Sequence, residues 1–215
     1  MHHLKKSATM TITELYDKIY STEETKTPDL FIPIFEENYI LIENQDIRID
    51  NGTYYSVMRL IADYAHNLKI KESYTKALPY LDKAIDLFEN YDDYDKTKMN
   101  DIEFYRTLRF DRGASNYYKK EYSKAQLDFE WLTTNNPDND NYKNWIYAIR
   151  FKKYDSVLNI LWYIIAGSVI ISAFINRKTL GFIYDIILYL GVVALISAVI
   201  FEIIRYVNKR KINAA

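Results

Sequence analysis

The stretch 156–204 constrains the fold of this 215-residue chain more than any other part, because it consists of two apolar runs. The first run, residues 156–175, carries no charge, and twenty helical residues at about 1.5 Å each span a hydrocarbon core of about 30 Å. The second run, about 183–204, is charged only at Asp185 and Glu202, near its ends. Buried helices of a soluble core are usually shorter and interrupted by polar residues at helical spacing. We therefore expect a transmembrane helical hairpin over 156–204.

Basic residues are distributed unevenly around this hairpin. Seven lie in the sequence just before or after it, whereas only Arg177 and Lys178 lie in the short turn. The positive-inside bias then predicts that both termini and the upstream domain are cytoplasmic, with residues 205–215 as a basic cytoplasmic tail. We interpret Asp185 and Glu202 as interfacial anchors; the alternative is that they mark an ion path.

Small residues occur at helical spacing in both runs, and such residues let membrane helices approach closely. The alternative is that small residues are simply common in membrane helices. We predict a transmembrane packing face formed by Ser168, Ser172, Gly191, Ala194 and Ala198.

The charge balance separates the two parts of the chain. Only two of the 29 acidic residues and six of the 28 basic residues follow residue 155, so the upstream part is net acidic and the hairpin region is net basic. An acidic domain argues against nucleic acid as a partner, whereas the basic excess suits membrane lipids. The chain has no cysteine, which excludes disulfides and a cysteine nucleophile.

Residues 1–10 are interpreted as a leader or as residues added for expression, and residues 11–53 as an N-terminal helical segment that packs on the repeats described next. Thr11 followed by Glu14 predicts a capped helix. The stretch 29–45 is apolar enough for a buried helix or a strand, and we expect a helix although it contains Pro33.

Two pairs of helices follow at similar spacing. The first pair is predicted at about 54–69 and 73–89, and the second at about 102–118 and 121–133, where Asn136 and Pro137 end it. In the second helix of each pair, apolar residues recur at spacings of three and four. These are Tyr74, Ala77, Leu81, Ala84, Ile85 and Phe88 in the first pair, and Tyr122, Ala125, Phe129 and Leu132 in the second.

These residues resemble the tetratricopeptide (TPR) repeat family, whose 34-residue unit pairs two antiparallel helices. The small positions Ala65 and Gly113, with Ala77 and Ala125 on the facing helices, carry the resemblance. It implies an all-α fold: a TPR-like helical-repeat domain at 54–155, followed by two transmembrane helices. Ala77 and Ala125 are 48 residues apart instead of 34, so extra residues that include the acidic run 92–95 separate the units.

A further helix at 142–154 resembles the first helix of a third unit and is expected to cap the repeats. Only two residues separate it from the first apolar run. We therefore expect the capping helix and the first membrane span to be nearly continuous.

No residue pattern in the chain supports catalysis, a metal site or a cofactor, so we expect a non-enzymatic protein. The resemblance implies a partner-binding groove on the first helix of each unit. The candidates are Arg59, Asp63, His66, Phe110, Asp111, Tyr117 and Tyr118. Because Asp63 and Asp111 make this face acidic, a basic or aromatic-rich protein or peptide is the expected partner. The alternative is that these residues only contact solvent or pack against the N-terminal helices.

The sequence thus predicts an adaptor or scaffold: a cytoplasmic TPR-type domain, anchored in a membrane, that engages in protein-protein interaction and recruits a partner. A second hypothesis is that the hairpin is itself the effector. In that case the repeats control its homo-oligomerisation into a pore or a membrane-disrupting assembly.

Overall fold

The computed structural model describes residues 10–91, 102–174 and 181–213, with side chains up to Val207. All regular secondary structure in these ranges is helical, which confirms the all-α prediction. The helices are α1 Ile12–Tyr20, α2 Pro28–Glu37, α3 Tyr39–Glu43, α4 Asn51–Ile70, α5 Tyr74–Glu89, α6 Glu103–Tyr118, α7 Tyr122–Asn135, α8 Asp140–Phe174 and α9 Gly181–Asn213, with a 3₁₀ turn at Glu24–Lys26. They form two compact units, Met1–Pro137 and Asp138–Ala215. Residues 1–9, the acidic run 92–95, Arg177 and Lys178 lie outside the described residues.

The N-terminal helices pack against α4. In α1 the backbone N–H of Glu14 donates to the Thr11 hydroxyl at 3.2 Å, and the Glu14 carboxylate accepts from the Thr11 N–H at 2.8 Å. This is the predicted capping box, and it orients the buried face of α1 towards α4.

The stretch 29–45, predicted as one helix, forms two helices that meet at Asn38. Pro33 lies inside α2 without ending it. The ring of Phe35 stacks on Tyr64 of α4, with centroids 3.9 Å apart and an interplanar angle of 6°. Because α2 covers α4 in this way, that side of α4 is closed to solvent.

Helices α4 with α5 and α6 with α7 form two antiparallel pairs joined by three-residue turns at 71–73 and 119–121. The two turns have the same geometry. Their middle residues, Glu72 and Lys120, have φ values of 57° and 65°, and the N–H of the next residue donates to the carbonyl five residues back at 2.8 Å. This bonding satisfies carbonyls that the end of a helix leaves without donors.

Small residues set the spacing inside these pairs. A Cβ added to Gly113 in α6 would lie 2.9 Å from the Phe129 ring and 3.2 Å from the Cβ of Asp128. Ala77 and Ala125 on the facing helices are fully buried. Any larger side chain at Gly113 would therefore push α6 and α7 apart.

A buried carboxylate links α6 to α7. Asp128 on α7, with 2% of its side chain exposed, accepts hydrogen bonds from Arg109 Nη1 at 3.0 Å and from Arg112 Nε and Nη2 at 2.9 and 2.7 Å. The same two arginines reach α5, where Arg109 contacts Glu89 and Arg112 contacts Asp82, both at 3.0 Å. Burial lowers the pKa of Arg112 and the Asp128 carboxylate raises it, and the net effect is upward, so this arginine stays charged.

We predict that Asp128→Asn lowers the free energy of unfolding by about 3–5 kcal/mol, because two largely buried guanidinium groups lose the buried anion that they share and keep only the more exposed Glu89 and Asp82. The matched change Asp82→Asn, at a side chain that is 61% exposed, should cost less than about 1 kcal/mol. Urea unfolding of the full chain in detergent, followed by far-ultraviolet circular dichroism, measures both values. Equal effects of the two variants would contradict a special role for the buried carboxylate.

The second unit consists of α8 and α9, which pack against each other and are both long and apolar enough to cross a bilayer. In their most apolar windows only 6% and 11% of the residues are buried. A core helix of a soluble protein would be mostly buried, so the exposure of α8 and α9 distinguishes them from that alternative. The segment expected to cap the repeats and the first apolar run form one unbroken helix, α8.

Charged residues mark one end of the apolar part of this hairpin. Asp155 precedes the first apolar run and Arg205 follows the second, and the antiparallel arrangement brings Arg205 Nη2 to 3.3 Å from Asp155 Oδ1. Glu202 lies 3.6 Å from Arg205, and the rings of Tyr154 and Phe201 pack 5.9 Å apart just beside them. Both flanks of the hairpin therefore emerge at the same end.

Candidate partner-binding site

An open groove of about 380 Å³ lies between α4 and α6, the first helices of the two pairs. Residues at spacings of one, three and four on each helix face it, as expected for one helical face. The groove is lined by Arg59, Ala62, Asp63, His66, Glu103, Phe104, Thr107, Leu108 and Asp111.

At one wall of the groove, Asp63 of α4 contacts α1 through Tyr20, and its partner Arg59 reaches α6. Its carboxylate accepts hydrogen bonds from the Tyr20 hydroxyl of α1 at 2.5 Å and from Arg59 Nε at 2.8 Å. Burial and the Asp63 charge raise the pKa of Tyr20 well above its usual range, so this hydroxyl stays protonated and donates. The Arg59 guanidinium also lies 5.3 Å from the centroid of the Phe104 ring on α6. Arg59 thus spans the groove between a carboxylate and an aromatic face.

Asp111 forms the floor of the groove and is not a free carboxylate. Only 2% of its side chain is exposed, and its two oxygens contact His66 Nδ1 at 2.5 Å and Lys69 Nζ at 2.6 Å. Both partners belong to α4, whereas Asp111 belongs to α6. The contacts therefore hold the two walls of the groove together, and the half-exposed imidazole of His66 covers the carboxylate from the solvent side.

The other three predicted groove residues lie elsewhere. Phe110 packs edge to face on Phe129 of α7, with centroids 5.7 Å apart, and Lys69 Nζ of α4 lies 5.6 Å from the centroid of its ring, but Phe110 does not line the groove. Tyr118, which is 53% exposed, stacks on Tyr74 at 4.8 Å, and Tyr117 lies beside these rings near the turn ends of the helices. The structure therefore brings together four of the seven residues, namely Arg59, Asp63, His66 and Asp111.

Sequence reasoning missed the residues that α6 contributes near its N-terminus. Phe104, Thr107 and Leu108 precede Asp111 at helical spacing, which is the signal that places them on its face. Glu103 begins α6 and is exposed at the rim of the groove. Its carboxylate makes the rim acidic on the α6 side.

The small residues of the hairpin lie between α8 and α9 with one exception. A Cβ added to Gly191 would lie 2.4 Å from Ser168 Oγ, so the two helices touch at this point. Ala194 and Ala198, on the same face of α9, are 4% and 1% exposed. Ser172 is only half-buried, and its hydroxyl donates to the carbonyl of Val169 in its own helix.

We predict that Gly191→Val destabilises the hairpin by about 1–3 kcal/mol, because the added side chain forces α8 and α9 apart. Gly167→Val is the matched control, since a Cβ added at Gly167 meets no atom of the described residues within 4 Å. Thermal unfolding of the full chain in detergent micelles measures the difference. An effect of Gly167→Val as large as that of Gly191→Val would show that close packing at Gly191 is unimportant.

No family model matches the chain, and comparison with curated proteins and with solved structures found no match either. Among the described residues, no group of three His, Asp or Glu side chains is arranged to hold a metal ion. We therefore infer the function from the geometry of this chain and from the resemblance of its residues to TPR repeats.

Proposed function

We propose that this protein is a membrane-anchored, TPR-type adaptor that recruits a protein partner to the cytoplasmic face of a membrane. One observation carries the proposal. The chain divides into a helical unit with its own buried core and an open groove, and a hairpin whose apolar surface is exposed. The first unit offers a recognition surface, and the second needs an apolar environment.

The repeat character of the first unit is supported by the recurrence of structure at an interval of 48 residues. The turns at Glu72 and Lys120 have the same backbone geometry. Asp63 and Asp111 occupy equivalent positions in α4 and α6, and both line the groove. These similarities support the proposal that the two helix pairs are two copies of one structural unit, as the resemblance to TPR repeats implies.

The lining of the groove favours a basic or aromatic-rich peptide. Asp63 and Asp111 already bind cations from their own chain, so the exposed carboxylate of Glu103 is the group that meets a cation from a partner. The Phe104 ring already contacts the Arg59 guanidinium, so an arginine or lysine of a partner would pair with the exposed Glu103 carboxylate beside this ring.

The hairpin supplies the anchor in this proposal. From Ser156 to the end of α8, nineteen uncharged, mostly apolar residues cover roughly 28 Å, which fits a hydrocarbon core. The Asp155–Arg205 pair lies at the end of this region, where headgroups and water accept charge. The basic residues outside the hairpin favour a cytoplasmic position for that end.

The absence of cysteine makes this topology directly testable. We predict that Cys introduced by Ser123→Cys, at an exposed position of α7, reacts with a membrane-impermeant maleimide only after the cell membrane is permeabilised. Asn176→Cys, in the segment between the apolar runs, should react in intact cells. The opposite labelling pattern would reverse the proposed orientation, and equal labelling of both before permeabilisation would contradict a membrane-spanning hairpin.

The alternative of a pore-forming effector has less support. Four of the five small residues that motivated it, Ser168, Gly191, Ala194 and Ala198, are buried within the hairpin itself. They are thus already used by the contact between α8 and α9 and do not point to homo-oligomerisation. The exposed faces of both helices are those that contact lipid in the adaptor proposal.

We predict that Glu103→Lys reduces proximity labelling of the partner in the native host by about tenfold, because it places a cation where the partner's cation binds. Glu130→Lys makes the same charge change at an exposed site of α7 outside the groove and should leave labelling intact. Replacing the hairpin by an unrelated two-span anchor should also preserve labelling. If the replaced hairpin abolishes recruitment and cellular activity together, the hairpin is the effector and the adaptor proposal is wrong.

A further inference from the structure

A second cleft, of about 530 Å³, lies between α5, α6 and α7. It shares no lining residue with the groove between α4 and α6. Each helix contributes one face, with α6 between the other two. The cleft therefore belongs to the contact between the two helix pairs and not to either pair alone.

Asn116 of α6 lines this cleft and is only 4% exposed. Its side-chain amide makes no hydrogen bond to any of the residues that the structure describes. The amide atoms of this largely buried side chain remain accessible from the cleft, so a ligand in the cleft can bind them. An amide offers one acceptor and a donor group, which is the pattern that a peptide bond complements.

A backbone carbonyl in the same cleft lacks its normal helical donor. Pro79 lies in the second turn of α5, and it has no N–H. The carbonyl of Thr75, four residues earlier, therefore receives no hydrogen bond from residue 79. Both Thr75 and Pro79 line the cleft. The Thr75 carbonyl of α5 is thus available to accept a hydrogen bond from a peptide N–H.

The charges around the cleft neutralise one another. Arg112 is paired with Asp82 and Asp128, and Glu121 is paired with Lys119 at 3.1 Å and with Lys124 at 2.6 Å. The lining contains these three cations and three anions, which leaves no net charge for a phosphate or a charged peptide to bind.

Apolar side chains complete the lining. Leu127 of α7 is 68% exposed, and Leu78 of α5 also lines the cleft. A large exposed leucine beside buried, unpartnered polar groups is typical of a recognition site. Leu127 thus provides a surface against which one apolar side chain of a ligand can pack.

We propose that this cleft is a second recognition site that binds an extended, uncharged peptide segment of a partner protein. The Asn116 amide binds a peptide group of the segment, the Thr75 carbonyl accepts a peptide N–H, and Leu127 contacts a large apolar side chain. The site is independent of the membrane anchor and of the α4–α6 groove.

The test uses the full chain in lipid nanodiscs and a phage-displayed library of short linear peptides. Enriched peptides are synthesised, and their affinities are measured by fluorescence polarisation. Leu127→Glu removes the apolar contact surface, and Asn116→Leu removes the amide. Each variant should therefore weaken peptide binding by about tenfold or more. Ser123→Glu, which adds the same charge at an exposed position of α7 outside the cleft lining, should change affinity less than about twofold.

Circular dichroism of each variant verifies folding. If Asn116→Leu does not fold, the peptide affinity of Leu127→Glu alone tests the proposal. Residue 127 is 68% exposed, so a substitution there leaves the buried core unchanged. The proposal is overturned if no peptide is enriched on the unaltered protein relative to the Leu127→Glu variant. Enrichment only of charged peptides, or of peptides that Glu103→Lys displaces, would also overturn it, because such peptides bind the α4–α6 groove.

Discussion

Two carboxylates, Asp111 and Asp128, lie buried inside the first unit, where each binds cationic side chains from another helix. Asp128 binds Arg109 and Arg112 and so ties α7 to α6 and, through the arginines, to α5. Asp111 binds Lys69 and ties α6 to α4. Removing either carboxylate would leave largely buried cations with less compensating charge, which is costlier than losing a surface ion pair. The order and spacing of α4 to α7, and hence both of the proposed recognition surfaces, depend on these contacts.

The α4–α6 groove and the α5–α6–α7 cleft differ in the charge that they present to a ligand, because Asp111 and Asp128 bind different cations. In the α4–α6 groove, an exposed carboxylate and an aromatic ring remain at the rim after Asp111 has bound its own cations, so the groove suits a basic partner. In the α5–α6–α7 cleft, every charge that lines the walls is paired, and the neutral amide of Asn116 has no side-chain partner among the described residues. With both proposed surfaces, the protein would distinguish a charged segment from an uncharged one without competition between them.

The contact between α8 and α9 is of a different kind from the ion pairs that hold the first unit together. Its helices bury few residues against each other, and their contact is made by small side chains such as Ser168 and Gly191, which bring the backbones close without a large apolar core. Such packing would leave too much apolar surface in contact with water for a soluble protein. The anchoring proposal therefore follows from the surface that the hairpin leaves exposed.

The sequence by itself determined the helical fold, the two long apolar helices and the α1 capping box, because these features depend on local spacing, length and neighbouring residues. It did not determine how each helix is rotated against its neighbours. The tertiary structure turns Phe110 towards α7, places Tyr117 and Tyr118 near the turn ends, and buries Asp111 under α4 side chains. The physical reason is that charge pairing and aromatic stacking join residues far apart in the chain, such as Asp111 with Lys69, and spacing along one helix contains no information about the partner helix.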